Sequence, residues 1–213
     1  MKTDDLISMM AAGVAPADRR LPARRMTQAL TIGGMGSLVL MLLCFGLRPD
    51  LSAMLLVPLF WIKLSFPTAL AAGSLLVLRR LLRPGQRVGA RWAGMAAPPA
   101  AIWLASVVML LAAPAGDRYG LLMGFTWRTC PFNIALLSLP LCVTIVWAVR
   151  AAAPTRLRLS GAVAGLLAGS TATMVYCLHC PEMGVPFWGL WYLLGMLIPG
   201  AAGFLLGPRL LRW

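Results

Sequence analysis

The sequence predicts an all-α fold, a polytopic membrane bundle of six transmembrane helices with both termini in the cytoplasm. The first observation behind this prediction is composition, because 60% of the residues are hydrophobic and only 12% are charged. Soluble proteins are closer to half apolar and one quarter charged, so the excess apolar surface must face lipid. The other two observations are six long apolar stretches and an uneven distribution of basic residues between them.

Each apolar stretch has the length that a membrane-spanning helix requires, about 20 residues. The stretches cover residues 26–47, 52–78, 92–114, 129–149, 159–179 and 186–206. The second contains Lys63, and the other five carry no charge. The first is longer than a signal-peptide core of about 7–15 residues and lacks a clear cleavage site after it. We therefore interpret the first stretch as an uncleaved anchor.

The basic residues set the orientation, because cytoplasmic loops of membrane proteins are enriched in Lys and Arg. One side holds all but four of the 19 basic residues, and the other side holds three, with Lys63 inside a span. The larger group predicts a multi-pass protein of the bacterial inner (cytoplasmic) membrane with both ends inside. The charges lie between apolar runs rather than on one soluble face, so we expect no direct contact with nucleic acid. The larger group is Lys2, Arg19, Arg20, Arg24, Arg25, Arg79, Arg80, Arg83, Arg87, Arg91, Arg150, Arg156, Arg158, Arg209 and Arg212, and the smaller group is Arg48, Arg118 and Arg128.

Residues 1–25 form a cytoplasmic segment that precedes the transmembrane part, residues 26–213. Thr3 can cap a short helix there, with acidic residues in the first turn, where the helix dipole favours negative charge. We expect that helix to end near Gly13 and Pro16. A helix this short is marginal in water, so its apolar face needs a partner. That partner is the protein's own loops, the lipid headgroups, or a soluble protein with a groove for an amphipathic helix. The acidic and apolar residues are Asp4, Asp5, Leu6, Ile7, Met9 and Met10.

A polar cluster is expected at the outer ends of the fourth and fifth spans. It consists of Cys130, Cys177, His179, Cys180 and Glu182, and His179 is the single histidine of the chain. Cys177 and Cys180 are three residues apart and share a helix face, and Pro181 favours a helix end at Cys180. We expect Cys130 and Cys180 to lie exposed at the membrane interface.

Two chemistries fit this cluster. Exposed thiols in an oxidising periplasm can pair, either Cys130 with Cys180 or Cys177 with Cys180. Alternatively, thiolates and imidazole select soft metal ions of the copper, zinc or cadmium type, with Cys130, Cys180 and His179 as candidate ligands. Glu182 and His179 either bind metal or tune the thiols. For Cys44 and Cys142 we prefer the interpretation that they fill apolar space.

Two further features lie inside the spans. Lys63 is about twelve residues into the second stretch, roughly 18 Å from its start, which predicts a deep position. All six acidic residues lie outside the spans, so Lys63 must use carbonyl groups, water, a hydroxyl such as that of Ser65, a neutral form, or an acid beyond the span. Gly161, Gly165 and Gly169 repeat every four residues, a spacing that lets helix backbones approach closely in lipid.

Seven short motifs are distributed along the chain: Thr3-Asp-Asp-Leu-Ile, Pro16-Ala-Asp-Arg-Arg-Leu-Pro, Gly46-Leu-Arg-Pro-Asp-Leu, Phe60-Trp-Ile-Lys-Leu, Leu178-His-Cys-Pro-Glu-Met, Trp191-Tyr-Leu-Leu-Gly-Met and Gly207-Pro-Arg-Leu-Leu-Arg-Trp. Through these motifs the chain resembles the NrsF-type membrane anti-sigma factors along essentially its whole length. The resemblance implies a six-span inner-membrane protein that holds an extracytoplasmic-function sigma factor inactive at the cytoplasmic face. It further implies release of that sigma factor under heavy-metal or related stress.

The resemblance also assigns roles to residues. Cys130 and Cys180 match the outward sensing pair of the family, and Asp4, Asp5, Leu6 and Ile7 match its sigma-binding segment. It implies no enzymatic activity and no permanently bound cofactor. The alternatives are a membrane thiol-disulfide oxidoreductase and a metal transporter that use the same cysteines. Both are weaker, because the sequence contains no clear electron-acceptor site and only Lys63 is a deep polar group.

Overall fold

The computed structural model describes residues 3–12, 21–83 and 85–212, and within these ranges all regular structure is helical. Within the described ranges six helices are long and apolar enough to cross a membrane, which agrees with the predicted number of spans. Shorter helices precede or connect them. In chain order the helices are α1 (Thr3–Ala11), α2 (Leu21–Cys44), α3 (Leu51–Met54), α4 (Pro58–Leu81), α5 (Arg91–Ala112), α6 (Ala115–Met123), α7 (Cys130–Arg150), α8 (Leu157–Tyr176), α9 (Val185–Phe187) and α10 (Leu193–Leu210), with a π-helical turn, Trp188–Tyr192, between α9 and α10.

The predicted second span is divided in the structure. Pro58 occupies the first turn of α4, and Val57 before it is extended, with ψ 121°. Proline favours this arrangement because its ring excludes the helical conformation from the preceding residue and its missing N–H is not needed at a helix start. Lys63 therefore lies five residues from the start of α4. The prediction that it lies some twelve residues into its helix was wrong.

The long helices alternate in direction and define two ends of the bundle. At one end Arg48, Lys63 and Cys180 meet. We call it the thiol end. At the opposite end, which we call the basic end, Pro22 of α2 and Arg79 of α4 line a common cleft. The predicted majority of basic residues, where described, flanks the helix ends of the basic end.

Helix α8 is the centre of the bundle. It packs against α4, α7 and α10, while α2 packs mainly on α7, and α5 packs on α4 and α9. The glycine repeat of α8 faces α10 so closely that a Cβ atom on Gly169 would lie 2.8 Å from the carbonyl oxygen of Met196. A Cβ on Gly165 would overlap the carbonyl of Pro199. The expected close helix packing at this repeat is confirmed.

Helix α1 confirms the expected short N-terminal helix, although Thr3 is its first helical residue. Asp4 and Asp5 lie in its first turn, as predicted. The expected helix end at Gly13 and Pro16 lies outside the described residues. The apolar side chains of α1 are exposed; that of Ile7, for example, is 59% exposed.

Candidate functional site

The predicted cysteine pair is brought together at the thiol end. Cys130 is the first residue of α7, and Cys180 lies in the connection from α8 to α9. Their thiols are hydrogen-bonding neighbours. Cys177 lies beside Cys180, and all five cysteines of the chain are free thiols. The structure therefore brings the side chains of the two predicted partners together.

The three thiols of this cluster are buried, which corrects the expected exposure of Cys130 and Cys180. Each of Cys130, Cys177 and Cys180 has 0% of its surface exposed. They belong to one hydrophobic core with Phe187 and Trp188 of the last span. The sequence placed them correctly at a helix end, but the structure packs all three into the hydrophobic core.

The local chain path explains how Cys177 and Cys180 are presented. Helix α8 ends at Tyr176, and the N–H of Cys177 closes its last turn on the carbonyl of Thr173 at 2.9 Å. A tight turn follows, in which the N–H of Cys180 donates to the carbonyl of Tyr176 at 3.0 Å. The helix thus ends four residues before Cys180, not at it as expected. Pro181 then directs the chain away from α8.

Two tyrosines enclose the thiols. Tyr176 is a hydrogen-bonding neighbour of Cys130 and Asn133. Tyr192 reaches Cys177 and Cys180 from the π-helical turn. Its hydroxyl is fully buried and finds no partner with full hydrogen-bond geometry among the described residues. π-helical turns occur often at functional sites because the extra residue redirects side chains.

Lys63 lies next to the cysteines, and main-chain carbonyl groups accept hydrogen bonds from its ammonium group. Its Nζ donates to the carbonyl oxygens of Cys180 at 2.7 Å and Glu182 at 2.9 Å. The ammonium also lies 5.6 Å from the ring centroid of Tyr192, a cation–π distance. Of the options that the sequence left open, the structure selects carbonyl groups. Ser65 instead donates to the carbonyl of Ile62 at 2.7 Å.

His179 is turned towards the end of α2. Its Nδ1 lies 3.0 Å from the carbonyl oxygen of Gly46, and its ring stacks on Phe45 and Tyr176 with centroids 5.4 and 5.8 Å apart. Gly46 has φ 72°, and its N–H closes α2 on the carbonyl of Met41. No three His, Cys, Asp or Glu side chains of the described ranges form a group that could hold a metal ion. The structure therefore does not assemble the predicted ligands Cys130, Cys180 and His179 around one point.

Glu182 connects the two cysteine-bearing segments. Its Oε1 accepts hydrogen bonds from the N–H of Phe125 at 2.7 Å, the N–H of Thr126 at 3.0 Å and the hydroxyl of Thr126 at 3.2 Å. These residues precede Cys130, so the carboxylate ties the start of α7 to the chain after Cys180. These contacts indicate a structural role, while the predicted metal-binding or thiol-tuning role of Glu182 stays a prediction.

Cys177 and Cys180 lie outside the spans, and their surroundings shift the pKa values of their thiols in opposite directions. The pKa of Cys180 is lowered, first by the hydrogen bond from the Cys130 thiol and then by the positive charge of Lys63, while burial opposes both. Burial raises the pKa of Cys177 to about 12, against a smaller opposing effect of Lys63. Cys180 thus has the larger thiolate fraction of the two, and the thiolate is the reactive form.

Sequence reasoning missed that Arg48, Tyr176 and Tyr192 lie beside the cysteines. Arg48 was counted only as a topology charge. Its side chain is buried, binds Asp50 through Nε at 2.6 Å and Nη2 at 2.7 Å, and reaches the carbonyl oxygen of Cys180 at 3.5 Å. The signal in the sequence was an arginine two residues before an acid on the side with few basic residues.

The chain matches the family model described as negative regulator of sigma F, NrsF, over residues 10–213. The chain belongs to the NrsF family. Two relatives agree. The "Probable anti-sigma-F factor NrsF" of Azospira oryzae is 47% identical and the "Anti-sigma-F factor NrsF" of Caulobacter vibrioides is 37% identical, each over the full length of both chains. No solved structure matches the chain.

Membership of the NrsF family confirms the resemblance seen in the sequence. Both NrsF relatives carry the name of anti-sigma factors, which act by binding a sigma factor. The family is thus regulatory rather than catalytic, in line with the prediction that the chain is not an enzyme.

Proposed function

We propose that this chain is an inner-membrane anti-sigma factor that holds an extracytoplasmic-function sigma factor at the cytoplasmic face and releases it when Cys130 and Cys180 are oxidised. In this scheme the thiol end faces the periplasm and the basic end faces the cytoplasm. The positive-inside rule supports that orientation. Family membership supports the sigma factor as partner.

The observation that carries the proposal is the contact between the two thiols. Cys130 and Cys180 belong to different helical hairpins yet lie side by side as free thiols. In an oxidising compartment such a pair can form a disulfide. The two thiols together lose two electrons and two protons, and the oxidant accepts them. With diamide as oxidant, the azo group becomes the hydrazine while the S–S bond forms.

Helix α1 provides the proposed binding element for the sigma factor. It precedes α2, which starts at the basic end, and its acidic first turn and exposed apolar residues suit a groove on a soluble protein. The residues are Asp4, Asp5, Leu6 and Ile7. Converting the bound state from 99% to 1% requires that the disulfide favours the released state by about 5.5 kcal/mol.

A soft metal ion is the second candidate signal. Two adjacent thiolates suit Cu(I) or a cadmium-type ion, which prefer sulfur ligands. His179 would have to leave Gly46 to join them as a third ligand. The adjacent thiols are the observation that favours this alternative. It can be tested on the chain with bound sigma factor by adding copper or cadmium in place of the oxidant.

The test uses the full chain with its sigma factor bound, solubilised in mild detergent. Diamide is added, and the retained sigma factor and the Cys130–Cys180 disulfide are both measured. We expect release to follow disulfide formation. Cys130→Ser and Cys180→Ser should abolish release.

Cys44→Ser is the matched control, because Cys44 also lies at the thiol end, as the last residue of α2, but is exposed and away from the pair. It should behave as the wild type. Unchanged release in Cys130→Ser and Cys180→Ser would exclude this pair as the sensing site.

A further inference from the structure

The carbonyl group of Cys180 is held by two buried cations from outside α7 and α8. Lys63 of α4 donates to it at 2.7 Å, and Arg48, from the connection between α2 and α3, reaches it at 3.5 Å. Arg48 is additionally paired with Asp50. Any displacement of Cys180 therefore changes its hydrogen bonds to α4 and to the connection between α2 and α3.

Lys63 depends on this contact more than Arg48 does. Among the described residues no salt bridge involves Lys63, whereas Arg48 is paired with Asp50. Lys63 is fully buried and relies on the carbonyl oxygens of Cys180 and Glu182. A buried charge is costly unless hydrogen bonds satisfy it, so the ammonium must follow these carbonyls if they move.

Helix α4 connects Lys63 with the basic end. From Lys63 to Arg79 in its last turn the helix extends about 24 Å at 1.5 Å per residue. There Arg79 and Arg83 line a cleft together with Pro22 and Met26 at the start of α2. In the sequence, α1 precedes this part of α2. A displacement of α4 at Lys63 thus reaches the region from which the proposed sigma-binding segment emerges.

We propose that Lys63 is the coupling residue through which α4 follows the oxidation state of the Cys130–Cys180 pair. Formation of the S–S bond brings the two sulfur atoms from a non-bonded contact to about 2.05 Å and draws Cys180 towards α7. The carbonyl of Cys180 then moves relative to Lys63, and α4 shifts with it. Lys63 is a positioning residue in this step, because it neither gives nor takes electrons. This inference rests on the proposed function above.

The experiment separates oxidation from release. Full-length Lys63→Met, Lys63→Arg and wild-type chains, each with bound sigma factor, are treated with diamide. A maleimide-polymer gel shift measures the disulfide, and co-purification measures retained sigma factor. We expect Lys63→Met to form the disulfide, although more slowly because Cys180 loses a positive charge that lowers its pKa, and to release at least tenfold less sigma factor at equal disulfide content. Lys63→Arg, which keeps the buried charge, should restore release.

Three results would overturn the coupling role. Normal release by Lys63→Met would show that α4 does not need this contact. Failure of Lys63→Met to form the disulfide would place Lys63 in the thiol chemistry instead. A wild-type chain that forms the disulfide and keeps its sigma factor would overturn the proposed function, and the coupling with it.

A measurement on the wild-type chain alone covers the case in which Lys63→Met does not fold. Hydrogen exchange of residues 79–83 at the basic end is compared before and after diamide treatment. We expect a change of at least twofold in exchange rate, because α4 moves. An unchanged rate in a chain whose disulfide has formed would refute the coupling.

Discussion

Removal of the Glu182 carboxylate tests how the two cysteine-bearing segments are held together. In Glu182→Ala the N–H groups of Phe125 and Thr126 and the hydroxyl of Thr126 lose their common acceptor. These groups precede Cys130, whereas Glu182 follows Cys180. We expect a lower thermal stability and slower formation of the Cys130–Cys180 disulfide, because the two segments are no longer tied.

The magnitude follows from the exposure of each donor. Phe125 is 98% exposed, so its N–H can bind water after the substitution at little cost. Thr126 is half-buried, and a buried donor left without a partner costs about 1–3 kcal/mol. For a chain of this length each kcal/mol lowers Tm by roughly 2–4 °C, so the expected loss is about 2–12 °C. Glu182→Gln keeps an acceptor oxygen and should lose less than half as much.

Thermal unfolding in detergent, followed by circular dichroism at 222 nm, measures these differences. The disulfide rate is measured with diamide on the same three proteins. A Glu182→Ala chain whose Tm is unchanged within about 1 °C would contradict the structural role. An equal decrease of Tm in Glu182→Ala and Glu182→Gln would show that the hydrogen bonds accepted by Glu182 do not account for its stabilising effect.

Three further predictions concern other parts of the molecule. Gly165→Ala should destabilise the chain by about 1–3 kcal/mol in chemical unfolding, because its Cβ meets the Pro199 carbonyl, whereas Gly34→Ala, with nothing within 4 Å, should be neutral or stabilising. Because the pKa of Cys180 is lowered, the rate at which diamide forms the disulfide should change less than about twofold from pH 7 to 8.5. A rate that rises more than tenfold would indicate an ordinary thiol with a pKa near 8.5. Ile7→Asp should weaken binding of the sigma factor at least tenfold in a pull-down without changing Tm, because Ile7 is exposed; unchanged binding would exclude α1 as the docking element.

The helices of the bundle were largely predictable. Apolar runs of about 20 residues are a strong local signal, so all six were found, and most of their ends were placed within a few residues. The error at the second span arose from Pro58, which starts a new helix inside a continuous apolar run. That single break moved Lys63 from the predicted middle of a helix to a position near its start.

The site was predicted only in part. The pairing of Cys130 with Cys180 was anticipated as one of two possibilities, and their burial was not. Proximity to a helix end suggested exposure, but packing between segments places the thiols inside the hydrophobic core. The expected role of His179 as a ligand also depended on its direction, which the contact with Gly46 decides.

The sequence by itself determined the helical class, the number of spans and the membership of the NrsF family, because composition, length of apolar runs and full-length similarity are properties of the chain read in order. Only the tertiary structure decided which atoms meet at the thiol end. The rotation of each helix about its axis and the path of each connection determine whether Lys63, Cys130 and Cys180 converge. These depend on packing between segments at least 50 residues apart in the sequence, which no local pattern specifies.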